Sequence, residues 1–241
     1  MIVNSIQNIN SWITQIHNDF KAAVSVDCVI FGYDDSSLKI LISRCDMPPY
    51  ENELSLLGDL VHPDETTDEA AKRVLLAKTG FDDVYLDQVQ VFSSTDRHPL
   101  GRVITVAYYS LVKIDDDHLA HIGSNDFLLW KPVYEVSSLA FDHIEIMQTC
   151  LRKLQKQLRE QPIGFKLLPK KFSLLQLQRL YEVILNIKLD KRNFRRKLKS
   201  LGILKELGEI QESVSHRPAS LYAFDEKIYE KKKKSGFSFE L

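Results

Sequence analysis

The chain alternates between segments with a strand-like and segments with a helix-like spacing of apolar residues. Val24–Phe31 and Leu38–Ser43 are apolar and rich in β-branched residues, which indicates two buried strands joined by a turn at Asp34–Ser37. Further strands are predicted at Val84–Phe92, Val103–Val112 and Asp126–Lys131, and a helix is predicted from Phe141 to about Arg159. Strands interspersed with helices are typical of a layered fold that contains both elements.

A separate helix is predicted between Thr66 and Gly80. Thr66 and Glu69 have the spacing of a capping box, and Gly80 suits the left-handed residue that ends many helices. Apolar residues at helical spacing supply one buried face: Ala70, Ala71, Val74 and Leu75. An ordinary amphipathic helix with a glycine cap explains this pattern as well as a functional motif does.

The C-terminal third predicts two helices followed by a hairpin. Gln161–Gly164 and Pro169 have the composition of a linker. Ser173 begins the first helix with a second capping box, and Asp190 is a favourable N-cap for a second helix that ends at Gly202. Residues 203–205 and 220–224 then read as the strands of a hairpin. Two helices at this spacing before a hairpin indicate a winged helix, which binds DNA or, as the alternative, protein.

Composition favours a reduced, soluble protein. Its three cysteines (Cys28, Cys45 and Cys150) have no metal-binding spacing, and their odd number argues against a disulfide framework. No signal peptide is recognisable, and no apolar run is long enough to cross a bilayer. We therefore expect a cytoplasmic location.

Charge separates the two parts of the chain. Residues 1–160 carry 14 Lys and Arg against 24 Asp and Glu, whereas residues 161–241 carry 18 against 9. These balances of −10 and +9 predict two domains, 1–160 and 161–241, of which the second faces a polyanion. A basic surface without a partner is the alternative. Lys231–Lys234 is expected to be a disordered tail that adds nonspecific attraction to phosphate.

Residues 58–81, GDLVHPDETTDEAAKRVLLAKTGF, resemble the Nudix box. The family places three glutamates on one face of the box helix, where they bind magnesium, but this chain has Val74, Ala77 and Lys78 there. Asp59 replaces a family glycine. Two apolar residues and an ammonium offer a hard dication no oxygen ligand, so we predict neither a metal site, nor a cofactor, nor enzymatic activity.

The whole chain resembles the Nudix-related transcriptional regulators. The segments that carry this resemblance are DRHPLGR (96–102), FDHIEI (141–146), PIGFKLLPKKF (162–172) and DKRNFRRK (190–197). The resemblance implies an α+β fold, in which a Nudix-like α/β/α sandwich that binds an effector and dimerises is followed by a winged helix-turn-helix domain. It also implies a homodimer that binds palindromic operator DNA and releases it when a small-molecule effector binds.

The resemblance also assigns candidate residues. DNA contact falls on residues of the second helix and the approach to the hairpin: Lys191, Arg192, Asn193, Arg195, Arg196, Lys197 and Arg217. Effector contact falls on residues of the Nudix cleft: Arg44, Glu65, Arg73, Asp96, Arg97, Arg102, Asp142 and His143. For each cleft residue, a salt bridge or a helix cap is an equal alternative, and His62 and His98 are expected to be structural.

The effector is predicted to be a small sugar. Among the branches of the family, the chain looks most like the arabinose-responsive regulators of sugar catabolism, which also lack the box glutamates. The balance of −10 over residues 1–160 disfavours a diphosphate unless arginines converge on it. The alternatives are an ADP-ribose-sensing regulator of NAD metabolism and a Nudix hydrolase of ADP-ribose or nucleoside diphosphate sugars that uses Glu65.

Overall fold

The computed structural model of the chain describes residues 21–81, 84–99, 101–114, 127–211, 218–237 and 239. The strands in these ranges are β1 (Ala23–Tyr33), β2 (Leu38–Arg44), β3 (Leu54–Ser55), β4 (Leu57–Leu60), β5 (Asp87–Phe92), β6 (Val103–Lys113), β7 (Leu128–Pro132), β8 (Phe172–Ser173), β9 (Leu204–Ile210) and β10 (Ser220–Phe224). The α-helices are α1 (Thr67–Thr79), α2 (His143–Glu160), α3 (Leu174–Leu185), α4 (Lys191–Leu201) and α5 (Glu226–Lys234). Helices that combine the length and the apolar character of a bilayer span do not occur in these ranges.

The larger sheet follows the order β3-β2-β1-β6-β5, with β4 also paired to β1 and β7 also paired to β2. β1 and β2 form an antiparallel pair in which Ile30 lies opposite Leu41. Their turn is fixed by Asp34, whose Oδ1 accepts hydrogen bonds from the backbone N–H groups of Ser36 and Ser37. The predicted strands are therefore confirmed, although β5 begins at Asp87 rather than at Val84.

Two compact units divide the described residues. The first takes its residues from 1–29, 42–110 and 138–147, and the second takes them from 30–41, 111–137 and 148–241. In the first unit, α1 packs against β4 through the predicted apolar face. Thr66 and Glu69 form the predicted capping box, and Gly80 ends the helix at a φ of 70°. The frame of the box is thus built by local interactions that the sequence specifies.

The second unit contains the predicted winged helix. Ser173 caps α3 and Asp190 caps α4, each by accepting a hydrogen bond from a backbone N–H three residues later. Phe194, Leu198 and Leu201 are buried and anchor α4, while Gly202 ends it at a φ of 59°. β10 pairs with both β9 and β8, which forms the wing sheet.

The predicted linker is instead a packed segment of this unit. Residues 162–167 form a 3-10 helix in which Phe165 is buried and stacks on Phe224 with ring centroids 4.5 Å apart. A Cβ added to Gly164 would lie 2.9 Å from Leu180 of α3. Glycine at this position therefore allows close packing. The same residue type is also typical of linkers, which is why the sequence predicted one here.

The prediction of a disordered lysine tail is wrong, because Lys231–Lys234 form the last turn of α5. Asp225 caps this helix by accepting from the backbone N–H of Ile228 at 2.9 Å, and Tyr229 is buried against Phe224. The lysines lie at the C-terminus of the helix, where the helix dipole favours positive charge. Lys232 also donates from Nζ to the carbonyl oxygen of Leu201, the last residue of α4, at 2.5 Å.

Lys232→Gln should lower the free energy of unfolding by about 1 kcal/mol, because it removes a charged donor from the C-terminal carbonyl of α4. Lys231→Gln is the matched control, since it makes the same charge change at an exposed neighbour in the same helix turn. Chemical denaturation of the two variants measures the difference. Equal destabilisation by both would show that the bond to Leu201 contributes nothing.

Candidate ligand cleft and nucleic-acid interface

The first unit contains a cavity of about 550 Å³ at the end of the box frame. Four of the eight predicted effector residues line it: Arg44, Arg97, Arg102 and His143. The other four predicted residues (Glu65, Arg73, Asp96 and Asp142) are not among its lining residues. Ligand pockets in proteins commonly have volumes of roughly 300–1,000 Å³, so this cavity has the size for a small molecule or a nucleotide.

Arg97 is the buried centre of the cavity wall. Its Nε and NH2 groups donate to the two carboxylate oxygens of Asp142 at 2.8 and 2.6 Å, and its NH1 group donates to Oγ1 of Thr105 at 2.6 Å. NH2 also lies 3.7 Å from Oδ2 of Asp27. These contacts match the salt bridge that the sequence left open as the alternative for Arg97 and Asp142, and they leave ligand contact by either residue untested.

His143 lies beside this ion pair as a neutral imidazole. Burial lowers its pKa, and Nδ1 accepts a hydrogen bond from the backbone N–H of Leu56 at 3.0 Å. In the neutral ring the proton is therefore assigned to Nε2, which lies 3.6 Å from Oδ1 of Asp27. This part of the cavity wall therefore has a buried N–H donor, on His143, beside the carboxylate of Asp27.

Asp27 is a wall residue that sequence reasoning missed. It lies on β1 two residues after Ser25, which also lines the cavity and contacts Thr105 of β6 at an Oγ–Oγ1 distance of 2.5 Å. Alternate residues of a strand point to one face. Two polar residues at that spacing in an otherwise apolar strand were the signal that could have identified this face.

Glu65 and Arg73 form an ion pair with each other and are not among the lining residues of the cavity. Arg73 donates from Nε and NH2 to the carboxylate of Glu65 at 3.0 and 2.8 Å, and from NH1 to Asp59 at 2.9 Å. The guanidinium of Arg73 and the backbone N–H of His62 hold the pKa of Glu65 down at about 2. Two carboxylates of the box loop, Asp59 and Glu65, are therefore paired with Arg73.

The box residues do not fit a magnesium ion. Val74 is buried, while Ala77 and Lys78 are exposed, and none of the three offers an oxygen ligand. Within the described ranges, no cluster of three or more His, Cys, Asp or Glu residues could hold a metal. Lys78 lines the cavity, so an ammonium stands where the box of a hydrolase has a glutamate.

The rim of the cavity combines cationic and aromatic side chains. Arg102 donates from NH1 to the carbonyl oxygens of Ser93 and Ser94 at 2.6 and 3.0 Å, and Arg44 is exposed. His98 lines the cavity and stacks on Phe141 with ring centroids 5.1 Å apart. Phe141 has a φ of 54°, an unusual conformation for a residue with a side chain, and such strain is concentrated at functional sites.

The predicted DNA-contacting residues lie on α4. Five of them are exposed (Lys191, Arg192, Asn193, Arg196 and Lys197), Arg195 is half-buried, and Arg217 lies outside the described residues. The NH2 group of Arg196 donates to Oδ1 of Asn193 at 2.8 Å. The apolar residues of α4 face inward, so the cationic side chains cover its outer face.

Known proteins share both parts of this arrangement. The family model of the NrtR DNA-binding winged helix domain matches residues 164–224. The chain is 32% identical to the ADPR responsive transcriptional repressor NtrR of Acinetobacter baylyi over 205 residues. This aligned region covers 83% of this chain and 81% of that protein. The chain belongs to the NrtR family.

Two further similarities involve a solved structure and an enzyme. The crystal structure of Shewanella oneidensis NrtR complexed with a 27mer DNA is 26% identical, with a TM-score of 0.72 over 90% of this chain and 97% of that one. The ADP-ribose pyrophosphatase of Methanocaldococcus jannaschii is 29% identical over 133 residues, which are 54% of this chain and 73% of that protein. The DNA-bound relative thus covers both parts of the chain, whereas the enzyme covers only about half of it.

Membership in the NrtR family confirms the prediction of a Nudix-related transcriptional regulator. It also confirms the fold class, a mixed α+β Nudix-like domain followed by a winged helix domain. The comparisons do not support the arabinose-responsive branch, and they favour the ADP-ribose alternative instead. The residue assignments within the cleft and on α4 stay predictions.

We expect this NrtR-family chain to hydrolyse no ADP-ribose or nucleoside diphosphate sugar above background, because the box residues offer no metal ligands. The measurement is product release with magnesium over a panel of Nudix substrates, with an active Nudix hydrolase as the positive control. Magnesium-dependent turnover well above background would overturn this prediction.

Proposed function

We propose that this protein is a transcriptional repressor that binds operator DNA through α4 and releases it when ADP-ribose binds the cleft. The observation that carries the proposal is the 32% identity to an ADPR responsive transcriptional repressor over 81% of that protein's length. The match of residues 164–224 to the NrtR winged helix adds the DNA-binding part. The sugar predicted from the sequence is thereby replaced by a nucleotide sugar.

The lining of the cavity is compatible with a diphosphate despite the acidic balance of the first 160 residues. Arg44, Lys78 and Arg102 all line the cavity. Among the described residues, Arg44 and Arg102 bond only to backbone carbonyl oxygens, and Lys78 interacts with Asp59 without a salt bridge. Charges close to a ligand dominate its binding, because exposed charges more than about 10 Å away are largely screened by salt. The net charge of a whole segment is therefore a poor guide to the ligand of one cavity.

On the DNA side, α4 has the properties of a recognition helix. Buried Phe194 and Leu198 fix its orientation, while Arg, Asn and Lys side chains line its exposed face. Arginine and asparagine can each read a base edge with two hydrogen bonds, whereas lysine mainly contacts phosphate. We propose that the protein acts as a homodimer on a palindromic operator, with residues 1–160 as the effector and dimerisation domain and 161–241 as the DNA-binding domain.

Release of DNA requires that ADP-ribose bind the DNA-free form more tightly than the DNA-bound form. A tenfold loss of operator affinity corresponds to about 1.4 kcal/mol of coupling free energy, and the effector must lose the same factor when operator is present. This reciprocity makes the direction of the response measurable from either ligand.

A hydrolase is the second candidate, since the chain is 29% identical to an ADP-ribose pyrophosphatase. The composition of the box weighs against it, because the positions of the three family glutamates hold Val74, Ala77 and Lys78. Binding of the same nucleotide without cleavage reconciles the similarity with the missing ligands.

Titration calorimetry should detect ADP-ribose binding and no heat from L-arabinose or D-xylose. Each titration is repeated with saturating operator present, and the affinity for ADP-ribose should then fall. The two sugars serve as the controls for nonspecific heat. Heat from a sugar with none from ADP-ribose would restore the sugar-responsive hypothesis and sink the proposal.

Arg196→Ala and Arg195→Ala should each weaken operator binding if the residue reads a base, by about 1–3 kcal/mol, with specificity relaxed at one base pair. Arg152→Ala on α2 removes the same charge from an exposed site outside the winged helix and is the matched control. Mobility-shift titrations against operators with single base changes measure both effects. Unchanged affinity in both α4 variants would mean that α4 is not the recognition helix.

A further inference from the structure

Lys78 has a cationic side chain at a position where the Nudix box has a glutamate. It lies in the last turn of α1, it lines the cavity of the first unit, and its side chain is exposed. In the described ranges it forms no ion pair with a carboxylate. It interacts electrostatically with Asp59 without forming a salt bridge, and an exposed ammonium at the wall of a cavity attracts an anionic ligand.

The carboxylates of the cavity offset the positive charge of its lining only in part. Asp27, Asp46 and Asp59 also line the cavity, but Arg73 binds Asp59 at 2.9 Å and Arg97 lies 3.7 Å from Asp27. Asp46 is the one lining carboxylate for which the described residues offer no such cation. Arg73 is shared with Glu65 and Arg97 is shared with Asp142, so these arginines offset Asp59 and Asp27 only in part.

The other cationic side chains of the cavity wall differ in whether a carboxylate pairs with them. Arg97 is already paired, because Asp142 and Thr105 accept hydrogen bonds from its guanidinium. Arg44 and Arg102 bond only to backbone carbonyl oxygens among the described residues, so their charges remain uncompensated. Together with Lys78 and Arg97 they give the lining of the cavity four positive charges against the three carboxylates of Asp27, Asp46 and Asp59.

We propose that Lys78 takes over the electrostatic role of the missing magnesium ion, so that the diphosphate of the effector binds its ammonium directly and without a metal. This inference rests on the proposed function, because it takes the effector to be ADP-ribose. A lysine ammonium is a compact charge with three donors, which suits phosphate oxygens. Replacing a glutamate by lysine at this one position removes a metal ligand and supplies the charge that the metal would have provided.

The proposal separates ADP-ribose recognition from magnesium. Hydrolases that bind a diphosphate next to acidic side chains need a cation to offset the repulsion. Here the residues of the box do not fit such an ion, and the cation is part of the polypeptide. Binding without hydrolysis then follows from the same substitution, because an ammonium cannot activate water as a metal does.

The test is titration calorimetry of the full-length protein with ADP-ribose, performed once in EDTA and once in excess magnesium chloride. The wild-type affinity should be the same in both buffers. Lys78→Gln should weaken binding at least about tenfold, the loss expected for one charge-assisted hydrogen bond. Lys78→Arg should keep most of the affinity, and Lys78→Glu should weaken binding more than Lys78→Gln, because it places a like charge beside the diphosphate.

Lys72→Gln is the matched control. Lys72 is an exposed lysine of the same helix, and it does not line the cavity. The Lys72→Gln protein should therefore bind ADP-ribose with the affinity of the wild type. The salt dependence adds a second readout: affinity should fall more steeply with salt in the wild type than in Lys78→Gln. Thermal unfolding of each variant confirms that the compared proteins are folded.

The possible outcomes separate this inference from the proposed function. A wild-type protein that binds ADP-ribose only with magnesium overturns the inference and leaves the proposed effector in place. Equal affinities of the wild type and Lys78→Gln in EDTA overturn it too. Failure of the wild type to bind ADP-ribose in either buffer overturns the proposed function itself.

Discussion

The buried guanidinium of Arg97 is the interaction on which the cleft depends. It joins the loop before β6 to Asp142 at the start of α2, to Thr105 of β6 and to Asp27 of β1. Its side chain is only 3% exposed, and leaving one member of a buried ion pair without its partner costs roughly 3–5 kcal/mol. The positions of β1, β6 and the start of α2 are therefore tied to one side chain.

Close backbone approach supports the same wall. Gly58 of β4 lies opposite Asp27 of β1, and a Cβ at Gly58 would come within 2.1 Å of Oδ1 of Asp27. Glycine at this position leaves room for the carboxylate, which in turn faces Arg97 and His143. Gly58, which precedes the replaced box glycine at Asp59, thus has a packing reason that is independent of catalysis.

The box keeps the frame of a Nudix helix without the family's metal ligands. The capping box and the left-handed glycine are intact, so α1 still begins and ends where a Nudix helix does. Two carboxylates of the loop, Asp59 and Glu65, form ion pairs with Arg73. The residues that begin and end the helix and the positions of the family's metal ligands are thus different residues of one motif.

Local signals in the sequence were enough to predict most of the fold, because capping, helical periodicity and strand alternation are set by residues only a few positions apart. The ends of α1, α3 and α4 were identified in this way. The ordered state of α5 was missed, since burial of Tyr229 against Phe224 and the bond from Lys232 to Leu201 depend on chain segments that sequence spacing does not bring together. The site was predicted least well: Asp142 and Arg97 are 45 residues apart, and whether two such charges bind a ligand or each other depends on their distance in space. The net charge of the first 160 residues suggested a neutral ligand for the same reason, because a sum over the sequence contains no information about which charges are paired and which face the cavity.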